Sequence, residues 1–285
     1  MTCFSGKKWY IINMKKLLSI FRGIIPAPAP CDLSCQGGFL VLKSAGTEPP
    51  DGFPDAMTRE KILKESGSVA AFLCSNGQNF CKVYKFRGFF HSLKRAFRTP
   101  RAFRCFTGAQ RLAELGVQTP EPVAAAVYYR GIIPVFQILV TKGLPEDTVY
   151  LHKAFEKADG RTAEALLCAV TAFAAKLHLA GFVHGDMSFR NIYLLPDGKT
   201  FGLIDLDGIT HYPSGVPRNV AAREVARLIS SAYRCYLLPE IPREEWQKKA
   251  LQSYQDAGGT ALRRQDIAGT LARLERHRIP AAKKH

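Results

Sequence analysis

The segment Val183-His184-Gly185-Asp186-Met187-Ser188-Phe189-Arg190-Asn191-Ile192 constrains this 285-residue chain more than any other. Asn191 stands five positions after Asp186, and Ile204-Asp205-Leu206-Asp207-Gly208 follows at a short distance. Between them Ile192–Leu195 and Phe201–Leu206 read as short strands joined through Pro196-Asp197-Gly198, a turn sequence. A loop, a short hairpin and a strand end bring a carboxylate, a carboxamide and a second carboxylate towards one place. Such hard oxygen donors suit Mg²⁺.

The rest of the chain falls into a strand-rich part and a helix-rich part. Pro26-Ala-Pro-Ala-Pro30 is a stiff spacer, and residues 46–55, with Gly46, Pro49, Pro50, Gly52 and Pro54, form a loop. Val69–Cys74 and Phe80–Tyr84 flank Ser75-Asn76-Gly77-Gln78 and predict a hairpin. Residues 92–115 predict a helix that stops at Gly116. Two strands follow, Val123–Tyr129 and Ile132–Thr141. Residues 162–180 predict a helix too apolar for a surface position, and residues 218–276 read as helical. This order predicts an α+β fold of two lobes, a small β-rich N-lobe and a mainly helical C-lobe. The boundaries follow as an N-terminal extension with strand and loop over 1–58, an N-lobe over 59–143 and a C-lobe over 144–285.

Charge narrows the partners. Lys and Arg number 40 against 24 Asp and Glu, a net charge of +16, which favours anions. The excess is concentrated. Residues 66–113 hold no acid, yet carry Lys82, Lys85, Arg87, Lys94, Arg95, Arg98, Arg101, Arg104 and Arg111, interleaved with Phe86, Phe89, Phe90, Phe97 and Phe103. Such a run fits an anionic, amphipathic partner: a glycolipid, or the anionic inner-membrane surface met through residues 82–111. Nucleic acid ranks below these, because the loop around Asp186 demands an acceptor hydroxyl. No apolar stretch reaches the length of a membrane span. Residues 9–25 either lie on a membrane surface or pack as an N-terminal extension. The eight cysteines, several within apolar runs, read as buried thiols of a reducing compartment. The expectation is a cytoplasmic protein, peripheral on the inner membrane if the basic run docks there.

Phosphoryl transfer needs little covalent help from a protein. It needs a carboxylate at the acceptor hydroxyl and oxygen ligands that hold Mg²⁺ on the phosphates. The spacing Asp-x-x-x-x-Asn is that of the kinase catalytic loop. On it Asp186 is the candidate base, and Asn191 and Asp205 are the candidate metal ligands. His-Gly-Asp-x-x-x-x-Asn followed by Ile-Asp resembles the small-substrate branches of the protein-kinase-like superfamily. Gly116-Val-Gln-Thr-Pro-Glu-Pro122 after a basic helix is similar to the lipopolysaccharide core (Kdo/heptose) kinases, the WaaP/InaA-like family, and the resemblance runs from about residue 62 to 255.

That resemblance implies ATP and Mg²⁺ as cofactors and a heptose or Kdo hydroxyl of the lipopolysaccharide inner core as acceptor. It puts Lys82 in the place of the phosphate-binding lysine, and Lys82 lies inside an apolar run where a cation needs a reason. Ser66, Gly67 and Ser68 fall where a loop covers the phosphates. Gln137–Gly143, with Thr141, Lys142 and Gly143, falls at the adenine-facing hinge. One departure stands out: no acid lies between Glu65 and Glu114 to pair with Lys82, and Cys105 occupies the expected position. Two other readings stand: a small atypical Ser/Thr protein kinase (RIO-like) or aminoglycoside-type phosphotransferase, which share the loop, and a non-catalytic kinase-like binding module, which the missing helix acid favours. No long activation segment follows Gly208, which disfavours a kinase switched by loop phosphorylation.

Overall fold

Phe39-Leu40-Val41-Leu42 is buried on both sides of its strand, the mark of a sheet packed on two faces. The computed structural model describes residues 31–36, 39–47, 49, 53, 61–66, 69–74, 77–85, 99–130, 133–235 and 242–276. It divides into two compact units, Met1–Leu144 and Pro145–His285.

The first unit is built on a seven-stranded antiparallel sheet. Its strands are β1 (Cys31–Gln36), β2 (Phe39–Ser44), β3 (Lys61–Ser66), β4 (Val69–Leu73), β5 (Asn79–Lys85), β6 (Pro122–Arg130) and β7 (Ile133–Lys142), in the order β1-β2-β6-β7-β5-β4-β3. Helix α1 (Arg101–Glu114) covers one face. There Phe103 and Phe106 meet Leu40, Leu42, Tyr84, Val127 and Tyr129. The opposite face buries Phe39, Val41, Phe72, Cys81, Ile138 and Val140. This alternation of faces is the period of two that a strand imposes. The helix ends at Glu114 because Val117 N–H returns to Leu112 O (2.8 Å) and Gly116 N–H to Ala113 O (2.9 Å), with Gly116 at φ 73°, a left-handed stop that glycine adopts at no steric cost. β1 and β2 fall in the segment that the sequence assigns to an N-terminal extension with strand and loop. β2 pairs directly with β6. The part of the expected 92–115 helix before residue 99 lies outside the described residues, as do Pro26–Pro30 and residues 9–25.

The second unit is mainly helical. It holds β8 (Val149–Tyr150), α2 (Leu151–Glu156), α3 (Gly160–Leu179), β9 (Phe182–Val183), β10 (Ile192–Leu194), β11 (Phe201–Leu203), β12 (Thr210–His211), α4 (Arg218–Cys235), α5 (Arg243–Asp256) and α6 (Arg264–Arg276). Asp159 caps α3 by accepting Thr162 N–H at 2.7 Å. α3 has the length and composition to cross a membrane; in this unit Leu167, Val170, Ala174 and Leu177 are buried in the core. Phe155 anchors that core between Phe189 (4.8 Å between ring centroids) and Trp246 (5.7 Å). β10 pairs with β11 and β8, and β12 pairs with β9. The strand expected over Phe201–Leu206 stops at Leu203. Asp205 takes up a left-handed backbone (φ 57°, ψ 55°) and starts a 3-10 turn over Leu206–Gly208, so extension cannot continue.

Candidate active site

The loop between β9 and β10 is held by its backbone, while its reactive side chains face out. His184 is 1% exposed. Asp186 N–H donates to His184 Nδ1 (3.3 Å), so the ring proton sits on Nε2, which donates to Ile204 O at 2.8 Å. Ile204 N–H in turn donates to Asn191 O at 3.0 Å. His184 therefore clamps the residue before Asp205 to the loop that carries Asp186 and Asn191. The Asn191 amide nitrogen donates to Asp186 O (2.9 Å) and reaches Asp186 Oδ2 (3.4 Å). Its amide oxygen is thereby left available. Asp186 and Asp205 are exposed and Asn191 is half-buried.

Two glycines make this approach possible. A Cβ on Gly185 (φ +85°) would lie 2.6 Å from Gly208 O, and a Cβ on Gly208 would lie 2.7 Å from His184 O. The Asp186 loop and the turn after Asp205 thus touch backbone to backbone.

Behind the loop stands a buried acid that the sequence reading missed. Glu224, 2% exposed in the middle of α4, accepts Gly185 N–H (2.6 Å) and His184 N–H (3.1 Å). Its Oε2 also meets His178 Nε2 at 2.9 Å, and His178 Nδ1 meets Tyr254 Oη at 2.7 Å. Burial, reinforced by the Glu224 charge, pushes the Tyr254 phenol up, so Tyr254 stays a donor. The proton order follows: Tyr254 O–H to His178 Nδ1, then His178 Nε2–H to Glu224. A buried carboxylate is tolerable only with such partners. The signal was there in the sequence: Glu224 is an acid among Ala221, Ala222, Val225 and Ala226 on an otherwise apolar helix face. Arg227, one turn further, donates to Gly185 O and lies 3.9 Å from Asp186 Oδ1.

The other expected site residues lie in the first unit. Lys82 is half-buried on β5, on the face shared by Tyr84, with its Nζ 5.5 Å from the Tyr84 ring centroid. Arg101 stacks on the same ring at 4.8 Å, and Tyr84 Oη meets buried Cys105 Sγ at 4.0 Å. Tyr84 and Cys105 therefore occupy the ground between strand and helix where an acid was sought. Glu114 is exposed at the other end of α1, about 13 Å along the axis from Cys105 at about 1.5 Å per residue. Ser66 ends β3 opposite Val69; Gly67 and Ser68 lie outside the described residues. Gln137, buried, turns inward and caps α1 by accepting Ala102 N–H at 2.8 Å. Thr141 and Lys142 end β7, with Lys142 paired to Glu121 at 2.8 Å. Gly143 N–H donates to Gln78 O at 2.9 Å. Of the basic run, Arg87, Lys94, Arg95 and Arg98 lie outside the described residues.

Among the described residues no three His, Cys, Asp or Glu side chains cluster as a metal site. Asn191 and Asp205 nonetheless fit magnesium: both offer hard oxygens, the Asn191 oxygen is turned away from its own hydrogen bonds, and magnesium commonly takes only one or two protein groups besides phosphate and water.

Comparison with known proteins gives these features a family. A search of curated proteins finds no match. Among solved structures, one described as WaaP in complex with acyl carrier protein is 21% identical, with a TM-score of 0.55, over 78% of this chain and 88% of that one. Another, a glucosamine kinase in complex with glucosamine, ADP and inorganic phosphate, is 15% identical with a TM-score of 0.41, over 88% of this chain and 84% of that one. The sequence model of the Lipopolysaccharide kinase (Kdo/WaaP) family matches residues 68–254. The two-unit architecture is a kinase-like fold, and the chain belongs to the lipopolysaccharide kinase (Kdo/WaaP) family.

Proposed function

We propose that this kinase moves the γ-phosphoryl group of ATP onto a heptose or Kdo hydroxyl of the lipopolysaccharide inner core. The observation that carries this reading is the clamp at the Asp186 loop: Asn191 Nδ2 on Asp186 O at 2.9 Å and His184 Nε2 on Ile204 O at 2.8 Å. In this reading Asp186 accepts the proton of the sugar hydroxyl as its oxygen bonds to phosphorus and the bond to ADP breaks. Asn191 and Asp205 would hold Mg²⁺, which would supply charge neutralisation on the phosphates. Lys82 is assigned to the phosphates, Ser66, Gly67 and Ser68 to the phosphate-covering segment, and Thr141, Lys142 and Gly143 to the nucleotide base. Arg227, 3.9 Å from Asp186 Oδ1, helps to orient Asp186. A site poised by hydrogen bonds that exist before substrate arrives spends little on reorganisation.

The basic run over residues 82–111 supports an anionic glycolipid as the acceptor and the inner leaflet as the place of work. The test is ATP turnover with delipidated core oligosaccharide, beside casein and kanamycin. Phosphate on the oligosaccharide is the expected result. Phosphate on casein alone, or on kanamycin alone, would replace this reading with one of the other kinase readings.

A further inference from the structure

A cavity of about 220 Å³ opens beside the Asp186 loop within the second unit. Gly185 and Gly208 line it together with Tyr212, Arg223, Arg227 and Arg273. Two of the arginines come from α4 and one from α6. Glu224 is the acid in its lining, and both of its oxygens are taken by His178 and the loop N–H groups. The acids on α6 are also engaged elsewhere: Asp266 with Arg218 (2.7 Å) and Glu275 with Arg243 (3.3 Å). Arg223 spends its Nε on Asn219 O at 3.2 Å, which leaves the guanidinium end. Arg273 is exposed and has no ion pair among the described residues. Three guanidinium groups thus face Glu224 as the acid of the lining, with Asp186 beside Arg227, so positive charge is in excess there, and planar forks of this kind match carboxylate and phosphate oxygens two at a time.

We propose that this arginine pocket is an acceptor subsite, which takes a carboxylate or phosphate monoester already carried by the sugar substrate and so sets a nearby hydroxyl at Asp186. The proposal rests on the kinase reading of the Asp186 loop. Arg227 links the two sites, because it lines the pocket and also lies 3.9 Å from Asp186 Oδ1. An anion in the pocket would share Arg227 with the base. The pocket thus favours acceptors that some earlier reaction has already given an acidic group.

Calorimetric titration of the full chain tests this, with ADP and Mg²⁺ present to fill the nucleotide site. The probes are the Kdo monosaccharide for a carboxylate, glycerol 1-phosphate for a phosphate monoester, and glucose as the neutral control. One of the two anions should bind at least about tenfold more tightly than glucose. Arg223→Gln and Arg273→Gln should each weaken that binding by about tenfold, the loss of one charged hydrogen bond, with Arg223→Lys intermediate. Both residues are exposed, so the melting temperatures should stay at the wild-type value. Equal binding of glucose, no binding of either anion, or Gln variants that bind as the wild type does would each overturn the subsite. If this binding pattern holds while core oligosaccharide is never phosphorylated, the pocket stands and the assigned acceptor falls. If the oligosaccharide is phosphorylated but the Gln variants bind normally, the pocket alone falls.

Discussion

Asn191 donates its side-chain N–H to the main-chain oxygen of Asp186, 2.9 Å away. One bond does two things: it closes the loop on which Asp186 rides, and it leaves the amide oxygen for the Mg²⁺ of the proposed mechanism. Asn191→Ala removes both. The expected outcome is loss of the Mg-ATP-dependent rise in melting temperature and a fall in turnover of roughly a hundredfold or more, with the apo protein still folded. Asn191→Asp should do no better at the loop, because a carboxylate oxygen would then face Asp186 O. Scanning fluorimetry with and without Mg-ATP reads the first effect directly.

Glu224 works from behind. Replacing it with Ala leaves the N–H groups of His184 and Gly185 and the ring of His178 without their acceptor. Removing one member of such a buried group costs about 3 kcal/mol or more. Glu224→Gln keeps the shape but turns an N–H group towards N–H donors, so it should also lower stability and kcat. Denaturant unfolding and steady-state rates check both. An unchanged midpoint for Glu224→Ala would mean that the Tyr254–His178–Glu224 chain does not support the loop.

Gly185 is required by distance as well as by torsion. Alanine there meets Gly208 O at 2.6 Å and must hold φ +85°, a strain of roughly 1–3 kcal/mol unless the loop shifts. Because Asp186 follows directly, the shift falls on the residue proposed as base. Gly185→Ala should lower kcat more than it raises the KM for ATP.

Asp159 gives a pH-dependent signature. The Thr162 hydroxyl, then the Thr162 N–H, hold its carboxyl below the usual carboxylate range. A depressed carboxyl stabilises the fold above its unfolded pKa, near 3.8, and that contribution disappears as pH falls through the lower folded value. Asp159→Ala should therefore melt below wild type at neutral pH, and the gap should close in acid. Melting curves across that range decide it.

What the sequence shows and hides follows from how local each feature is. The Asp186–Asn191 loop, its hairpin and Asp205 lie within twenty residues, so spacing alone made them candidates for one site. Glu224 and Tyr254 reach the same loop only through packing of α4 and α5, and the periodicity of α4 records an acid on a buried face without saying what it touches. β2 was hard to read because it pairs with β6, some eighty residues on, and β1 joins the sheet only through β2. The strand expected to run to Leu206 stops at Leu203, ahead of the left-handed Asp205; Asp tolerates that conformation better than most residues, but the apolar run around it reads as strand. The missing acid opposite Lys82 was legible as a gap, but the Tyr84–Cys105 contact that fills the space was not.

The account stands most directly on Asp186 as the group that takes the acceptor proton. Mass spectrometry of delipidated core oligosaccharide after incubation with Mg-ATP should show one added phosphoryl group with the wild type. Asp186→Ala, folded and still binding nucleotide, should show a rate lower by roughly a hundredfold to ten-thousandfold. Wild-type transfer by Asp186→Ala would contradict the account.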